Sequence, residues 1–390
     1  MRVIGLFAGI GGIELGLQAA GHEVEFLCEN DPMAQAVLRT RFPGVPIKDD
    51  IRSLKSLPKV DLVAAGFPCQ DLSQAGTTNG IAGPKSGIVS TLLQLIKSSS
   101  PGRRPARVLI ENVPFMLHLS GGRAIKLLTN SLSDLGYTWA YRVVDTRAFG
   151  FPQRRRRVLL LASRTSDPRT VLLGQDKGIK DVNPTSKVAC GFYWTEGNRG
   201  IGWAVDATPP LKGSSGLGIP SPPGIWMPDG RVTIPDIRDA ERLQGFKAGW
   251  TAPVIKEGGT LGTRWRLVGN AFSVPVSRWL GRRLRTEQDW TVGAETLLTD
   301  GQPWPDAAWG AGENTYGVEV SDWPVRHKWQ PLAQFLRHPP APLSAKASRG
   351  FLDRLRASTL RVDERFLSDL ASHVKKMEMR IAASNGSLTH

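Results

Sequence analysis

A cysteine stands in the stretch GFPCQDLSQAG, residues 66–76, among small and polar neighbours. Cys69 follows Pro68, which fixes its own backbone and restricts that of the residue before it. Gln70 and Ser73 are polar side chains that are ill suited to lining a hydrophobic core. A buried and chemically inert cysteine is the ordinary alternative for such a residue. The polar loop favours instead a thiol that acts as a nucleophile.

Two later apolar runs end or begin with charged residues that could assist this thiol. RVLIENV places Glu111 at the end of a predicted strand, where a carboxyl group can act as a general acid toward a ring nitrogen. Four consecutive arginines then lead into the run VLLLAS. Because side chains alternate along a strand, Arg155 and Arg157 are predicted to share one face. A phosphate-binding patch is the alternative, chiefly for Arg154 and Arg156.

A glycine-rich loop, LFAGIGGIELG, follows the first predicted strand and opens a helix. Glycines at positions such as Gly9 and Gly11 let the backbone pass close to a ligand at the carboxyl end of that strand. The spacing departs from G-x-G-x-x-G, because Glu14 stands at the third glycine's position. A pyrophosphate would meet a carboxylate there, so the loop favours a cofactor without phosphates. A plain tight turn is the alternative.

Acidic residues follow the next two predicted strands. CEND places Glu29 at the end of the second, and DDI places Asp50 after the third. A carboxylate at the position of Glu29 can accept hydrogen bonds from ribose hydroxyls, and Asp50 is a second candidate for contact with the cofactor's polar groups. Together with the glycine loop they predict a nucleoside cofactor such as S-adenosylmethionine, although each acid alone could be a helix cap or a solvated loop charge.

The elements that must position these residues alternate along the first 165 residues, where short apolar runs are followed by helical patterns. This predicts an α/β fold with a doubly wound, mostly parallel sheet. We expect a catalytic and cofactor-binding domain over 1–163, a small loop-rich region over 164–231, a return to the catalytic domain over 232–288, and a partly helical C-terminal extension over 289–390. In the loop-rich region, Trp194, Trp203 and Trp226 are predicted to form a small core.

Composition restricts the possible compartments and partners. The chain has 390 residues and a net charge of +15, which favours a polyanionic partner such as nucleic acid. It has three scattered cysteines, so neither a disulfide framework nor a metal site is expected and a reduced compartment fits best. The apolar stretch at the start of the sequence is too short and too rich in glycine for a signal peptide. No later run reaches the roughly 20 apolar residues that a membrane-spanning helix needs. We therefore expect a cytoplasmic protein.

Six motifs in this order resemble those of the C5-cytosine DNA methyltransferase family. They are GLFAGIGG, GFPCQDLSQAG, ENV, QRRRR, RDAERLQGF and GNAFSVPV, between residue 2 and about residue 285. The resemblance implies a Rossmann-like, S-adenosylmethionine-dependent methyltransferase sheet, with a target recognition domain at 164–231 and a C-terminal extension beyond the resemblance. It also implies a bacterial or phage enzyme that modifies duplex DNA in a restriction-modification system. Such an enzyme would act as a monomer in the bacterial cytoplasm or nucleoid. A possible cognate endonuclease would act separately.

The resemblance further implies roles for single residues. Cys69 would attack C6 of a flipped-out cytosine, Glu111 would hold or protonate N3, and Arg157 with Arg155 would face O2. S-adenosylmethionine would be the methyl donor and S-adenosylhomocysteine the product. The family's cofactor contacts correspond here to Phe7, Gly9, Ile10, Gly11, Glu29, Asn30, Asp50, Ile51, Pro68, Asn270 and Ala271. Ala271 stands where many relatives have serine, so one side-chain hydrogen bond to the cofactor is expected to be missing.

DNA contacts are expected at two places. Beside the nucleophile, Gln70 and Ser73 would hold the phosphates of the flipped nucleotide. Gln153 is a third candidate for a DNA contact in the catalytic region. In the loop-rich region the candidates for base contacts or for the gap left by the flipped base are Asn198, Arg199, Lys212, Ser214 and Ser215. Each could equally contact a phosphate or water. A region this short predicts a target of roughly four to six base pairs, read in the major groove.

The C-terminal extension and the substrate leave alternatives open. The apolar residues of 351–370 could pack on the catalytic domain, wrap DNA or pair with another copy. An RNA methyltransferase is one functional alternative, but the Cys-Phe-Thr signature of that branch is absent and the recognition stretch favours duplex DNA. A non-catalytic DNA-binding relative is disfavoured by the intact Cys69, Glu111 and Arg157. A nicotinamide-dependent dehydrogenase is disfavoured by Glu14.

Overall fold

The computed structural model describes residues 1–67, 87–179, 188–213, 222–286, 290, 294–299 and 301–386. The predicted site residues Pro68, Cys69, Gln70, Ser73, Ser214 and Ser215 lie outside these ranges. Within the described part of the chain, no helix is both long and apolar enough to span a bilayer.

Strands and helices alternate through the first half of the chain. The strands are β1 (Arg2–Leu6), β2 (Glu23–Cys28), β3 (Ile47–Lys48), β4 (Leu62–Gly66), β5 (Arg107–Asn112), β6 (Thr138–Asp145), β7 (Arg156–Ser163), β8 (Cys190–Phe192), β9 (Ala204–Val205), β10 (Gly224–Trp226), β11 (Val232–Ile234), β12 (Glu295–Leu297), β13 (Ala307–Ala311), β14 (Asn314–Val318) and β15 (Ala341–Pro342). The helices are α1 (Gly12–Gln18), α2 (Pro32–Arg41), α3 (Ile88–Ser98), α4 (Arg123–Asp134), α5 (Pro168–Leu172), α6 (Ile237–Leu243), α7 (Pro253–Lys256), α8 (Leu261–Asn270), α9 (Val274–Arg283), α10 (Leu332–Phe335), α11 (Ala345–Ala357) and α12 (Glu364–Gly386).

The larger sheet has the strand order β12-β14-β13-β6-β7-β5-β4-β1-β2-β3. Strands β3, β2, β1, β4 and β5 run parallel to one another, whereas β7, β6 and the β12–β14 strands pair antiparallel. Because the central strands are covered on both faces, they are continuous apolar runs, as in the almost wholly buried β1 and β4. The carboxyl ends of the parallel strands therefore meet at one edge, where ligands bind in such sheets.

The chain divides into two compact units, which are described separately. The first comprises Met1–Phe149, Arg156–Ile179 and Ala271–His327, and the second Gly150–Arg155, Lys180–Asn270 and Lys328–His390, as far as these ranges are described. This division differs from the predicted regions at several places: residues 150–155 and 232–270 belong to the second unit, residues 164–179 belong to the first, and the C-terminal extension is divided between the two. Strands β12 to β14 join the larger sheet through β6, and the remainder of the extension belongs to the second unit.

The second unit has a small antiparallel sheet in the order β15-β11-β10-β8-β9. Helices α11 and α12 share its hydrophobic core: Phe192 and Trp226 of the sheet pack with Phe351 and Phe366 of the helices. Trp226 is buried in this core, as predicted, and Trp194 and Trp203 pack against it. The apolar residues of 351–370 thus pack, but in the unit that contains the predicted recognition region.

Candidate active site

The glycine loop after β1 forms a narrow turn at the carboxyl edge of the first unit's sheet. Phe7 adopts φ 58°, a left-handed conformation that is uncommon for a residue with a bulky side chain. Gly9 has φ 55°, and a Cβ on it would meet no atom of the described residues within 4 Å. Gly11 differs, because a Cβ there would overlap the ring of Phe42. Gly11 thus serves the packing of the loop, and Ile10 between them is buried.

Glu29 holds this loop against the end of β2. Its Oε2 accepts a hydrogen bond from the Gly9 backbone N–H at 2.7 Å, and its Oε1 accepts one from Asp31 N–H at 2.8 Å. Burial raises the pKa of Glu29, an effect opposed by these backbone donors. Each carboxylate oxygen can accept a second hydrogen bond, so Glu29 fixes the loop and still offers lone pairs to a ligand.

A cavity opens beside this carboxylate. Five of the predicted cofactor residues line it, namely Phe7, Glu29, Asn30, Asp50 and Ile51. The sequence argument missed four further lining residues, Cys28, Asp49, Arg52 and Ile88. Of these, Cys28, Asp49 and Arg52 directly adjoin predicted positions, which is the signal that could have found them. Burial raises the pKa of the Cys28 thiol to about 12, so this cysteine is a neutral wall of the cavity.

Asp50 is charged and fixed in this cavity by its neighbour. Arg52 donates from Nε and Nη2 to the Asp50 carboxylate, with an Nη2–Oδ2 distance of 2.6 Å, and its backbone N–H donates as well. These hydrogen bonds lower the pKa of Asp50. The cavity therefore presents two carboxylates, Asp50 and Glu29, beside the apolar side chains of Phe7 and Ile51, a lining suited to a nucleoside.

Glu14 does not face a ligand in the glycine loop. Its side chain is 1% exposed and packs against Gly5, where a Cβ would overlap the carboxylate. Its Oε2 has no hydrogen-bond partner among the described residues. Burial raises the pKa of Glu14 to about 8, so the group is mostly protonated at neutral pH.

We expect Glu14→Gln to remove part of the pH dependence of stability. A raised pKa means that the folded state holds the proton more tightly, so the stabilising contribution is complete below the unfolded pKa of about 4.3. It declines as the pH rises and is lost above the folded pKa of about 8. Glutamine cannot ionise, so the melting temperature of Glu14→Gln minus that of the parent chain should grow between about pH 5 and pH 9. Thermal unfolding measures this, with exposed Glu23→Gln as the control; a constant difference would contradict it.

Glu111 and Arg157 form an ion pair at the end of β5. Arg157 Nε lies 3.0 Å from Glu111 Oε1, and both side chains are largely buried, with 13% and 14% exposure. Gly66 pairs with Glu111 across the parallel strands, and a Cβ on Gly66 would stand 3.1 Å from Glu111 Oε2. Glycine at the end of β4 therefore leaves room for the carboxylate. The structure brings together these two residues as the sequence predicted.

Asn112, next to Glu111, was not singled out from the sequence. Its Nδ2 donates to the Phe67 carbonyl at 3.0 Å, and its Oδ1 accepts from Val113 N–H at 2.9 Å. Phe67 is the residue immediately before Pro68, and its ring packs edge-to-face on Phe7 at 6.1 Å. The Asn of the ENV motif thus ties β5 to the end of the segment that leads into the predicted nucleophile loop.

Arg155 and Arg156 have environments that differ from that of Arg157. Strand β7 begins at Arg156, so the alternation that predicted a shared face does not extend to Arg155. In the second unit, Arg155 is 1% exposed and donates to the carbonyls of Leu211 and Gly269. In the first unit, Arg156 pairs with two acids, Asp306 and Asp322, which argues against its use as a free phosphate-binding side chain.

The predicted DNA contacts of the second unit also differ in their surroundings. Gln153 is fully buried: its Nε2 donates to the Leu243 carbonyl and its Oε1 accepts from Leu211 N–H, so no exposed atom is left for the predicted DNA contact. Asn198 and Arg199 are exposed. Lys212 is half-buried, pairs with Glu196 and lies 3.7 Å from the centroid of the Tyr193 ring. Its charge is therefore partly neutralised.

The last two predicted cofactor residues stand at the end of α8. Asn270, in the second unit, is exposed, and its side-chain oxygen lies against Gly213, where a Cβ would overlap it. Ala271, in the first unit, is buried. Neither residue lines the cavity beside Glu29.

Comparison with known proteins decides the family. The family described as C-5 cytosine-specific DNA methylase matches residues 1–188. The chain is also 50% identical over 379 residues to the Type II methyltransferase M2.BsuMI of Bacillus subtilis (strain 168), a match that covers 95% of this chain and 97% of that protein. The chain belongs to the C-5 cytosine-specific DNA methylase family.

A further Type II methyltransferase is similar in sequence to this chain, and a solved structure is similar in fold. The Type II methyltransferase M.HhaI of Haemophilus parahaemolyticus is 30% identical over 166 residues, 42% of this chain and 49% of that protein. The crystal structure of S. pombe Dnmt2 methyltransferase has a TM-score of 0.54 at 17% identity, covering 73% of this chain and 98% of that one, and is similar in fold. The predicted family, enzyme class and α/β methyltransferase fold are thus confirmed. A methyl donor and a DNA substrate follow from membership of the family.

Proposed function

We propose that this methylase transfers a methyl group from S-adenosylmethionine to C5 of a flipped-out cytosine in a short duplex DNA site. The observation that carries the proposal is the Glu111–Arg157 pair at the end of β5, beside the strand whose sequence continues into Pro68 and Cys69. Similarity to a Type II methyltransferase over nearly its whole length supports a role in restriction-modification.

The chemistry at the base follows from the charges of this pair. The Cys69 thiolate would form a bond to C6, and the electron pair displaced from the ring would move toward N3 and O2. Glu111 would hold or protonate N3, and the Arg157 guanidinium would face O2, so the developing charge meets groups that are already in position. C5 thereby becomes nucleophilic enough to take the methyl group. Loss of the C5 proton to a base, for which water is a candidate, would then expel the Cys69 thiolate.

Two parts of this mechanism rest on sequence alone. Cys69, Gln70 and Ser73 keep their predicted roles as the nucleophile and the phosphate contacts of the flipped nucleotide. The predicted contact of Arg155 with O2 would require its guanidinium to leave the carbonyls of Leu211 and Gly269. We therefore assign the charge on O2 to Arg157 first.

The residues that line the cavity beside the glycine loop suit a nucleoside cofactor. Glu29 offers lone pairs to ribose hydroxyls, Phe7 and Ile51 supply apolar walls for a base, and no described residue lies within 4 Å of a Cβ placed on Gly9. Asp50, held as a carboxylate by Arg52, can accept from an amino group. S-adenosylmethionine, when bound, would supply the methyl group from its sulfonium, with S-adenosylhomocysteine as the leaving group. Asn270 and Ala271 remain predicted contacts.

We expect Glu29→Gln to weaken cofactor binding by roughly tenfold to a hundredfold. An amide has one acceptor oxygen, so one of the two backbone donors, Gly9 or Asp31, would face an NH₂ group and the loop would shift. Titration calorimetry with S-adenosylhomocysteine measures the change. Glu25→Gln is the matched control, because Glu25 lies on the same strand and pairs with Arg2 at 3.8 Å. Equal affinity in both variants would contradict the assignment.

The partner and its compartment follow from the same proposal. Duplex DNA suits the net charge of +15, since phosphate contacts dominate affinity for DNA. Asn198 and Arg199, whose side chains are exposed, remain candidates for base contacts, as do Lys212, Ser214 and Ser215. We further propose that the enzyme acts as a monomer in the bacterial cytoplasm, alongside a cognate endonuclease that acts separately.

Base-resolution mapping of 5-methylcytosine tests the proposal. The full chain is expressed in a bacterial host that lacks cytosine methylation, with Cys69→Ser as the inactive control. Methylation confined to one short recurrent site is the expected result and would also identify the target. Unmodified DNA together with methylated cytosines in RNA would replace the proposed substrate, and unmodified DNA and RNA would overturn the activity.

A further inference from the structure

The core of the second unit depends on the C-terminal helices. Among its described members, five buried residues come from the recognition stretch and its return, and seven from the extension: Leu343, Phe351, Leu352, Leu355, Phe366, Leu370 and Val374. The ring of Phe192 on β8 stacks on Phe351 of α11, with centroids 5.1 Å apart and an angle of 11°. The recognition stretch alone would leave the inner face of its sheet exposed, so α11 and α12 complete it.

One side chain of α11 extends beyond the core to a loop. Arg354 donates from Nη2 to the Trp194 carbonyl at 2.7 Å and from Nε to the Glu196 carbonyl at 3.0 Å. Gly197 follows with φ 139°, and a Cβ on it would stand 3.1 Å from Cβ of Arg354. The loop therefore lies directly on the helix, and only glycine combines this backbone conformation with this contact.

The loop 193–201 is closed at its base and exposed at its tip. Tyr193 N–H donates to the Ile201 carbonyl at 2.7 Å, and Lys212 pairs with the side chain of Glu196. Between these attachments, Asn198 and Arg199 are exposed. Arg354 thus holds the carbonyls on one side of the tip, whereas the side chains at the tip extend into solvent.

We propose that Arg354 is a positioning residue that fixes the loop 193–201 so that Asn198 and Arg199 can read the DNA target. The inference rests on the proposed function, since it deepens the role of the recognition region. Arg354 makes no DNA contact in this account: two hydrogen bonds from one rigid guanidinium set the direction of the loop. The C-terminal extension is then a working part of target recognition, which the sequence motifs did not reveal.

Steady-state kinetics of Arg354→Met test this role. The variant keeps most of the apolar stem and loses both hydrogen bonds, so we expect KM for target DNA to rise about tenfold while kcat stays within about twofold. Methylation at sites that differ by one base pair should rise relative to the target. Arg354→Lys, which can donate but not in a bidentate fork, should be intermediate. Arg356→Met is the matched control, an exposed arginine on the same helix.

Further measurements separate positioning from loss of fold. Affinity for S-adenosylhomocysteine should be unchanged, and all assays are run below the lowest melting temperature. If Arg354→Met does not fold, Gly197→Ala perturbs the same contact from the loop side and should raise KM for DNA in the same way. Equal KM and specificity in Arg354→Met and Arg356→Met, or in Gly197→Ala and the parent chain, would overturn the inference. A parent chain that methylates no DNA would instead overturn the proposed function.

Discussion

Cys69→Ser is expected to abolish methyl transfer, with a loss in kcat of at least about four orders of magnitude. Attack on C6 needs a strong nucleophile, and a serine hydroxyl ionises far less readily than a thiol and is a poorer nucleophile. The exchange of sulfur for oxygen changes little in size, so the loop should keep its conformation. The expected outcome is an enzyme that binds both partners without turnover.

The decisive measurement is a single-turnover assay with labelled S-adenosylmethionine and target DNA. Calorimetry with S-adenosylhomocysteine and a DNA gel shift on the same preparation show whether both partners still bind. Loss of turnover with unchanged binding assigns Cys69 to the chemical step. Turnover at more than about a hundredth of the parent rate would contradict a covalent mechanism through this thiol.

The other two cysteines are not candidates for this role on physical grounds. Burial raises the pKa of Cys28 to about 12 and that of Cys190 to about 11, so both are thiols at neutral pH. Cys190 lies in the hydrophobic core of the second unit, where burial is the main cause of its raised pKa. A residual activity in Cys69→Ser could not be ascribed to either.

The cofactor half of the site could be predicted from the sequence because its signals are local. Short, largely apolar runs define β1 and β4, β2 is the mixed segment EVEFLC, and the carboxyl ends of parallel strands meet at one edge of the sheet. Any polar residue directly after such a run reaches that edge. Glu29 and Glu111 were found in this way. Glu29 accepts a hydrogen bond from Gly9 N–H, and Glu111 pairs with Arg157.

The four arginines at 154–157 show where sequence reasoning stops. They are identical in type, yet Arg155 binds backbone carbonyls, Arg156 pairs with Asp306 and Asp322, and Arg157 pairs with Glu111. Their partners lie up to about 165 residues away along the chain, so local alternation could not assign them. The helices α11 and α12 were missed as part of the recognition unit for the same reason, since an amphipathic pattern indicates a buried face without identifying its partner.

Glu111→Gln is expected to slow the chemical step by about two to four orders of magnitude. Glutamine keeps an acceptor for Arg157 Nε, now 3.0 Å from Glu111 Oε1, so the ion pair becomes a hydrogen bond from a charged guanidinium to an amide oxygen and the geometry of β5 should persist. The side chain can then no longer give a proton to N3, and its negative charge is gone. Cofactor affinity should be unchanged within about twofold, because Glu111 does not line the cavity beside Glu29.

Asp306→Asn separates catalysis from the loss of an ion pair. Asp306 pairs with Arg156, the residue next to Arg157 in β7, so this variant removes the same charge from a neighbouring arginine outside the proposed reaction centre. We expect it to methylate DNA at close to the parent rate. If both variants slow the single-turnover rate equally, the effect comes from the charge balance of β7. If only Glu111→Gln is slow, the carboxyl group acts on the base itself, as the proposed contact with N3 requires.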